Sequence, residues 1–215
     1  MNFENFIDIS LPIKEGSVVW PGATPVKFSF WHQIEKGDMT NDSDVEFNVH
    51  VGTHIDAPAH FLKDGATVDK LDLHKFIGDV FVVEIPGTKE ITADILESKL
   101  HSKKRLKRLL LKTDNSDLLL RNHKEFNKDF CALSIDAAQW VVDHGLVLVG
   151  NDYLSVQRFD GSPEVHTILL SAEVVILEGV DLRAVSQGDY KLVCLPMNFV
   201  GLEGAPVRAL LYPKN

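Results

Sequence analysis

Residues 50–60 read HVGTHIDAPAH and place His50, His54, Asp56 and His60 within eleven positions. That spacing limits the backbone before it says anything about chemistry. A helix would align His50 with His54 but turn Asp56 away, and Gly52, Thr53, Ile55 and Pro58 form helix poorly. A strand would set all four polar residues on one side, because all are even positions. A straight strand, however, stretches six residues over about 20 Å, too far for His50 and Asp56 to reach one ion. For these groups to converge the chain must bend between them, and Gly52 and Ala57-Pro58 stand where bends are needed. The stretch therefore reads as a strand ending near His50, followed by a tight loop that carries the remaining ligands.

Neutral imidazoles with a carboxylate suit zinc, or manganese and other first-row divalent ions. The alternative is an exposed polar loop that binds nothing. The apolar neighbours Phe47, Val49, Val51, Ile55 and Phe61 argue against it, since a partly dry site makes unpaired polar groups costly. Glu178 adds to the set. It follows four apolar residues (VVIL, 174–177) at the end of a predicted buried strand, where a carboxylate is expensive unless it meets a cation. Open sheets also place ligands at strand carboxyl ends. His166 lies in a helix predicted over residues 163–171; alone, such a histidine is more often a surface or packing residue. Helix and following strand form one unit, so His166 and Glu178 can face a common cleft. His50, His54, Asp56, His166 and Glu178 then make five ligands, two of them carboxylates, a set better suited to two metal ions than to one.

Periodicity and punctuation outline the rest. Strands are predicted over residues 6–10, 26–33, 44–51, 79–85, 109–113, 146–150, 174–177, 191–195 and 207–211. Thr92 is placed to cap a helix over 93–100, Ser134 one over 135–144 stopped by Gly145, and Ser162 the helix that begins with Pro163 and Glu164. Residues 114–129 read as a polar loop. Trp20-Pro21-Gly22 holds a large ring in a turn, as a pocket wall or as core, and the residues leave both open. Helix, glycine and strand in succession indicate an α/β protein with a parallel or mixed sheet.

Composition narrows the function classes. A chain of 215 residues fits one domain with a core that needs no staples. The formal net charge of −9 disfavours a polyanionic partner. The basic run at residues 101–108 (HSKKRLKR) lacks interleaved aromatics and reads as a solvated connection, not a nucleic-acid site. Cys131 and Cys194 form no CxxC pair and read as small apolar fillers. No apolar run approaches a membrane span, and the acidic N-terminus is unlike a secretory signal, so a cytoplasmic protein is expected.

The stretch HVGTHIDAPAHF matches the HxGTHxDxPxHF signature of the metal-dependent cyclase family of hydrolases, whose best-known members are the bacterial kynurenine formamidases. The chain resembles that family over nearly its whole length, through early DIS and WPG segments, LLLKT, LVGNDYLS, VHTILL, ILEGVDL and a terminal GLEGAPVRALL. By that resemblance His50, His54 and Asp56 bind one metal, Asp56 and Glu178 bridge, and His166 binds the second. His60 is the acid/base residue, with a further metal ligand as the alternative, and Trp20 contacts substrate. The resemblance also implies a single domain over residues 1–215, an α/β swivelling β/β/α type with a mixed sheet. It implies two zinc ions per chain, with manganese possible, and a homodimer or homotetramer. The implied activity is arylformamidase-like hydrolysis of N-formylkynurenine or a related small formamide. Isatin hydrolases share the signature loop, so a cyclic amide is the alternative substrate; a non-catalytic metal or small-molecule binding protein is the rival outside enzymes. Two positions depart from the family: Asn151 stands where Ile is frequent (Gly150-Asn151-Asp152 against G-I-D), and Gly179 where Asn often follows the bridging Glu.

Overall fold

A computed structural model describes residues 5–103, 105–121 and 125–214. In chain order the strands begin with β1 (Ile7–Asp8), β2 (Lys27–His32), β3 (Asp42–Glu46), β4 (His54–Asp56), β5 (Ile77–Glu84) and β6 (Glu90–Ile91). Then come β7 (Arg108–Lys112), β8 (Ala132–Leu133), β9 (Leu148–Asn151), β10 (Val175–Glu178), β11 (Gly188–Val193), β12 (Gly204–Pro206) and β13 (Leu210–Pro213). The α-helices are α1 (Ala93–Leu100), α2 (Asn115–Arg121), α3 (Ile135–Asp143) and α4 (Glu164–Ser171).

Nine strands form one mixed sheet in the order β1-β13-β11-β5-β7-β9-β10-β4-β12. Its centre, β5-β7-β9-β10, is parallel, and the flanking pairs are antiparallel. The helices lie on the crossovers between the parallel strands, as such connections require. The α/β class with a mixed sheet is therefore the one expected. The sheet is also curled. β12 and β13 are seven strand spacings apart in the sheet, about 34 Å if it were flat. Yet only residues 207–209 join them, and four steps of chain reach about 14 Å. Val207 donates to the Thr53 carbonyl and Ile9 to the Ala209 carbonyl, so the joining segment bonds to both edges at once.

Alternation along the parallel strands divides the core into two layers. Val83, Leu109, Leu111, Val149 and Ile176 face α1, α3 and α4 through Leu96, Leu100, Ala137, Val141 and Leu169. Val82, Leu110, Leu148 and Leu177 face inward onto Ile9, Ile55, Phe76 and Leu192. Both cysteines are free and buried fillers, and burial pushes their thiols up to about 12. The caps at Thr92 and Ser134 form as the sequence indicates, accepting from Ile95 N and Ala137 N.

Five expectations need correction. Residues 44–51 are not one strand: β3 ends at Glu46, and the Asn48 side chain accepts the His50 N–H and turns the chain out of the ladder. His54 and Asp56 do not sit in a loop. They are the ends of β4, paired on both sides, because buried Ile55 between them packs into the inner layer. Ser162 does not cap α4; Pro163 takes that place, and its carbonyl accepts from Thr167 N. Part of the loop expected at 114–129 is helical, as α2, stabilised where Asp152 accepts from the N–H and hydroxyl of both Thr113 and Ser116. Residues 122–124 of that stretch, and Lys104 of the basic run, lie outside the described residues. The 207–211 strand is likewise not one element: residues 207–209 are the joining segment, and β13 begins only at Leu210.

Gly179 sits where two backbones meet. Its φ is +70°, and a Cβ there would lie 2.3 Å from the Gly52 carbonyl oxygen. Gly87, in the turn after β5, has a similar φ of +74° with nothing within 4 Å. Gly87→Ala is therefore expected to cost about 1 kcal/mol, the left-handed penalty alone. Gly179→Ala should cost about 3 kcal/mol or more, because overpacking adds to it. Urea denaturation of both variants checks this; equal losses would show that the close approach is relieved freely.

Candidate metal centre

β10 and β4 pair so that Glu178 lies opposite His54 and Ile176 opposite Asp56. Residues two apart on a strand share a face, so His54, Asp56 and Glu178 all project into the helix-side layer. The α4 crossover adds His166 from above. All four side chains are buried. His54 Nε2 lies 3.7 Å from Asp56 Oδ1 and 3.3 Å from Glu178 Oε2. His166 Nε2 lies 3.6 Å from Asp56 Oδ2 and 3.4 Å from Glu178 Oε1. Each carboxylate thus turns one oxygen to His54 and the other to His166.

His50 approaches from the turn before β4, with Nδ1 2.8 Å from Asp56 Oδ1. The bend that brings it there is the one the spacing demanded, centred on Gly52 (φ +62°). His60 follows on a short 3-10 turn begun by Pro58, and its ring lies over that of His50 at 4.0 Å. Donor atoms of His54, Asp56 and Glu178 fall within 4.8 Å of one another, and so do those of His50, Asp56 and His60. Every candidate ligand named from the sequence is brought to this one place, with Asp56 common to both groups.

Backbone and neutral groups orient the rings. The Gly52 carbonyl can only accept, so His54 Nδ1 donates to it and Nε2 is the nitrogen turned to the two carboxylates. Gln157 Oε1 does the same for His166 Nδ1 at 3.2 Å. Val156 N donates to Glu178 Oε1 at 2.7 Å. Thr53 Oγ1 donates to the Gly179 carbonyl and accepts from Leu11 N, tying the bend to the end of β10. Sequence reasoning missed Gln157, which carries no signal of its own, and Glu203, whose Oε1 lies 3.6 Å from His50 Nε2. Glu203 belongs to the terminal GLEGAPVRALL segment.

The charges are strongly coupled. Burial would push the Asp56 carboxyl up, but the His166 and His50 imidazoles outweigh it and hold it well below the usual range. Burial, reinforced by the charge of Asp56, would likewise raise Glu178, and His166 and His54 bring it down. Burial opposes charge on His166, yet Asp56 and Glu178 raise it to about 9. For His60 burial wins, leaving it below the ordinary histidine value.

A divalent cation fits these residues. Among the described residues the buried side-chain atoms without a hydrogen-bond partner are His50 Nε2, His54 Nε2, Asp56 Oδ2 and Asn151 Oδ1. Three of the four belong to this cluster, and each unpaired buried group costs about 1–3 kcal/mol. A cation beside His54 Nε2 and Asp56 Oδ2 satisfies lone pairs that no protein donor reaches, while His50 Nε2 faces Glu203 instead. The all nitrogen–oxygen donor set suits zinc or manganese.

The cluster opens into a cleft of about 470 Å³ lined by Trp20, Asn48, His60, Phe61, Leu154 and Gln157, among others. Trp20 serves both readings left open by the sequence. It lines the cleft, and its ring also packs on Phe126 at 4.9 Å and Phe159 at 5.2 Å.

Fold and donor set together are those of a metal-dependent hydrolase, and the profile of a family described as putative cyclase matches residues 7–158. The chain belongs to that cyclase family. It is 39% identical over 184 residues to cyclase-like protein 1 of Arabidopsis thaliana, covering 83% of this chain and 72% of that protein. It is 34% identical over 215 residues to a kynurenine formamidase of Bacillus cereus, covering 99% and 100%. A solved structure described as a predicted metal-dependent hydrolase from Bacillus stearothermophilus superposes with a TM-score of 0.83 at 30% identity, covering 98% of each chain.

Stripping the protein with a chelator is expected to lower its melting temperature, and zinc or manganese at about 100 times Kd should restore about 2.7 kcal/mol. That corresponds to about 5–10 °C for a domain of this size. His54→Ala should abolish the restoration. A melting temperature indifferent to chelator and metal would remove the centre.

Proposed function

We propose that the chain is an arylformamidase-type amide hydrolase, acting on N-formylkynurenine or a related small formamide. The observation that carries this reading is the cleft, which is lined by Trp20, His60 and the candidate ligands His50, His54, His166 and Glu178, with Asp56 buried behind them. Its volume suits a small aromatic molecule, and Trp20, Phe61 and Leu154 offer it apolar walls. The full-length relative described as a kynurenine formamidase supports the same substrate class.

His50, His54 and Asp56 would hold one ion, His166 the other, with Asp56 and Glu178 shared. The two-faced arrangement of both carboxylates supports two ions, zinc foremost and manganese second. Such ions supply Lewis-acid polarisation of a carbonyl and bring the pKa of water toward neutrality. The rest falls to the chain. His60, kept neutral by burial, accepts a proton from the attacking water and returns it to the departing nitrogen. An amine leaves poorly without that proton. Trp20 and Phe61 exclude bulk water from the reacting amide, which strengthens every charge interaction in the cleft.

An isatin-type cyclic amide is the second reading, favoured by the shared signature loop. The same proposal takes residues 1–215 as one domain of swivelling β/β/α type, cytoplasmic, and free of nucleic acid. The net charge and the internal bonds of the basic run support the last point: Lys103 pairs with Asp189, and Arg108 donates to the carbonyls of Lys75 and Asp79. No helix among the described residues is long and apolar enough to cross a membrane. A homodimer or homotetramer is supported by the β2–β3 hairpin. It is a separate two-stranded ribbon that exposes Phe30, Trp31, Ile34, Met39 and Val45, and such ribbons are marginal alone. A second copy would cover it.

His60→Ala should lower turnover of N-formylkynurenine by about 10²–10⁴ while metal content, read by elemental analysis, stays near two per chain. Loss of metal together with activity would make His60 a ligand instead. Turnover of isatin alone would move the substrate to the second reading, and turnover of neither compound would sink both. Light scattering should give at least twice the chain mass of 24.0 kDa, and a monomer would refute the pairing.

A further inference from the structure

We propose that Glu203 is a positioning residue for His50, accepting its Nε2–H so that Nδ1 is the atom presented to the metal centre. The inference rests on the metal reading above and concerns which tautomer of His50 that centre uses.

The ring of His50 is held in a seat. His60 covers one face at 4.0 Å and His54 meets it edge-on at 5.1 Å. The opposite side is the backbone of Gly204, where a Cβ would lie 2.7 Å from His50 Cε1 and 3.1 Å from Nε2. Any side chain at 204 would therefore push the ring out. Nδ1 points at Asp56 Oδ1, 2.8 Å away. Nε2 is buried with no hydrogen-bond partner, and the Glu203 carboxylate is 3.6 Å from it. That distance is beyond a hydrogen bond, so the role requires the part-exposed glutamate to turn toward the ring. The backbone there is fixed: the Glu203 carbonyl accepts from Ala57 N at 2.8 Å, and Gly204 pairs with Asp56.

Two tautomers are open to a neutral His50. With the proton on Nδ1, the ring donates to Asp56 and ties up an oxygen the centre needs, while its Nε2 lone pair faces the Glu203 carboxylate. With the proton on Nε2, Glu203 accepts it. The Nδ1 lone pair then converges with Asp56 Oδ1 on one point, an arrangement that calls for a cation between them. The second tautomer leaves no lone pair facing another without an ion. His54 and His166 have neutral oxygens behind them, Gly52 O and Gln157 Oε1. His50 alone of the three has a carboxylate there, the pairing that raises the basicity of a ligating imidazole.

The test uses the full chain and zinc alone. Glu203→Gln should weaken zinc binding about tenfold or more in competition with a chromophoric chelator. The melting temperature of the metal-free protein should not move, which separates positioning from folding. Long-range nitrogen–proton NMR of the zinc-loaded wild type should show His50 as the Nε2–H tautomer. An Nδ1–H tautomer, or zinc affinity in Glu203→Gln within twofold of wild type, overturns the role of Glu203 and leaves the centre standing. Wild-type protein that binds no zinc overturns the metal reading and this inference with it.

Discussion

Two carboxylates, Asp56 and Glu178, are sealed into one layer of the protein with almost no access to water. Like charges in such surroundings repel strongly and lack the solvent that would screen them. Neither can be tolerated unless positive charge lies between them and on either side. His54 and His166 flank the pair, each touching both carboxylates, and His50 closes the open edge. His166 meets the same need with its own charge: burial opposes its proton, and Asp56 and Glu178 hold it on.

The architecture exists to hold this arrangement against its own repulsion. Glu178 ends a parallel strand, where the next residue can leave the sheet. His54 and Asp56 lie on the adjacent antiparallel strand, bonded on both sides. The close approach of Gly179 to Gly52 lets the turn carrying His50 lie against that strand end, and Thr53 pins both. A residue with a side chain at 179 requires a different path for this turn. The cleft and the core therefore share their supports, and a change made for one is felt by the other.

Local signals in the sequence were read well where local physics decides. Thr92, Ser134 and Gly145 bound their helices, and the apolar run before Glu178 is a buried strand. The bend between His50 and Asp56 follows from reach, since an extended chain cannot bring the two to one ion. What failed were features set by partners distant in sequence. Three residues, HID, look too few and too polar for a central strand, and only pairing with residues about 120 and 150 positions away makes them one. α2 depends on Asp152, some 36 positions on. Gln157 carries no pattern that announces it, and Glu203 lies in the GLEGAPVRALL segment without a sign of which imidazole it faces.

The three-residue link between β12 and β13 joins the two margins of the sheet. It sits near the end of the chain, while β1, its neighbour through β13, sits near the beginning. Contacts of such long separation form slowly, because loop entropy must be lost before they return anything. During folding the sheet would remain an open sheaf until β12 and β13 joined its margins. Until then Asp56 and Glu178 would stay hydrated, so the acidic pair parts with its water only as the two margins meet.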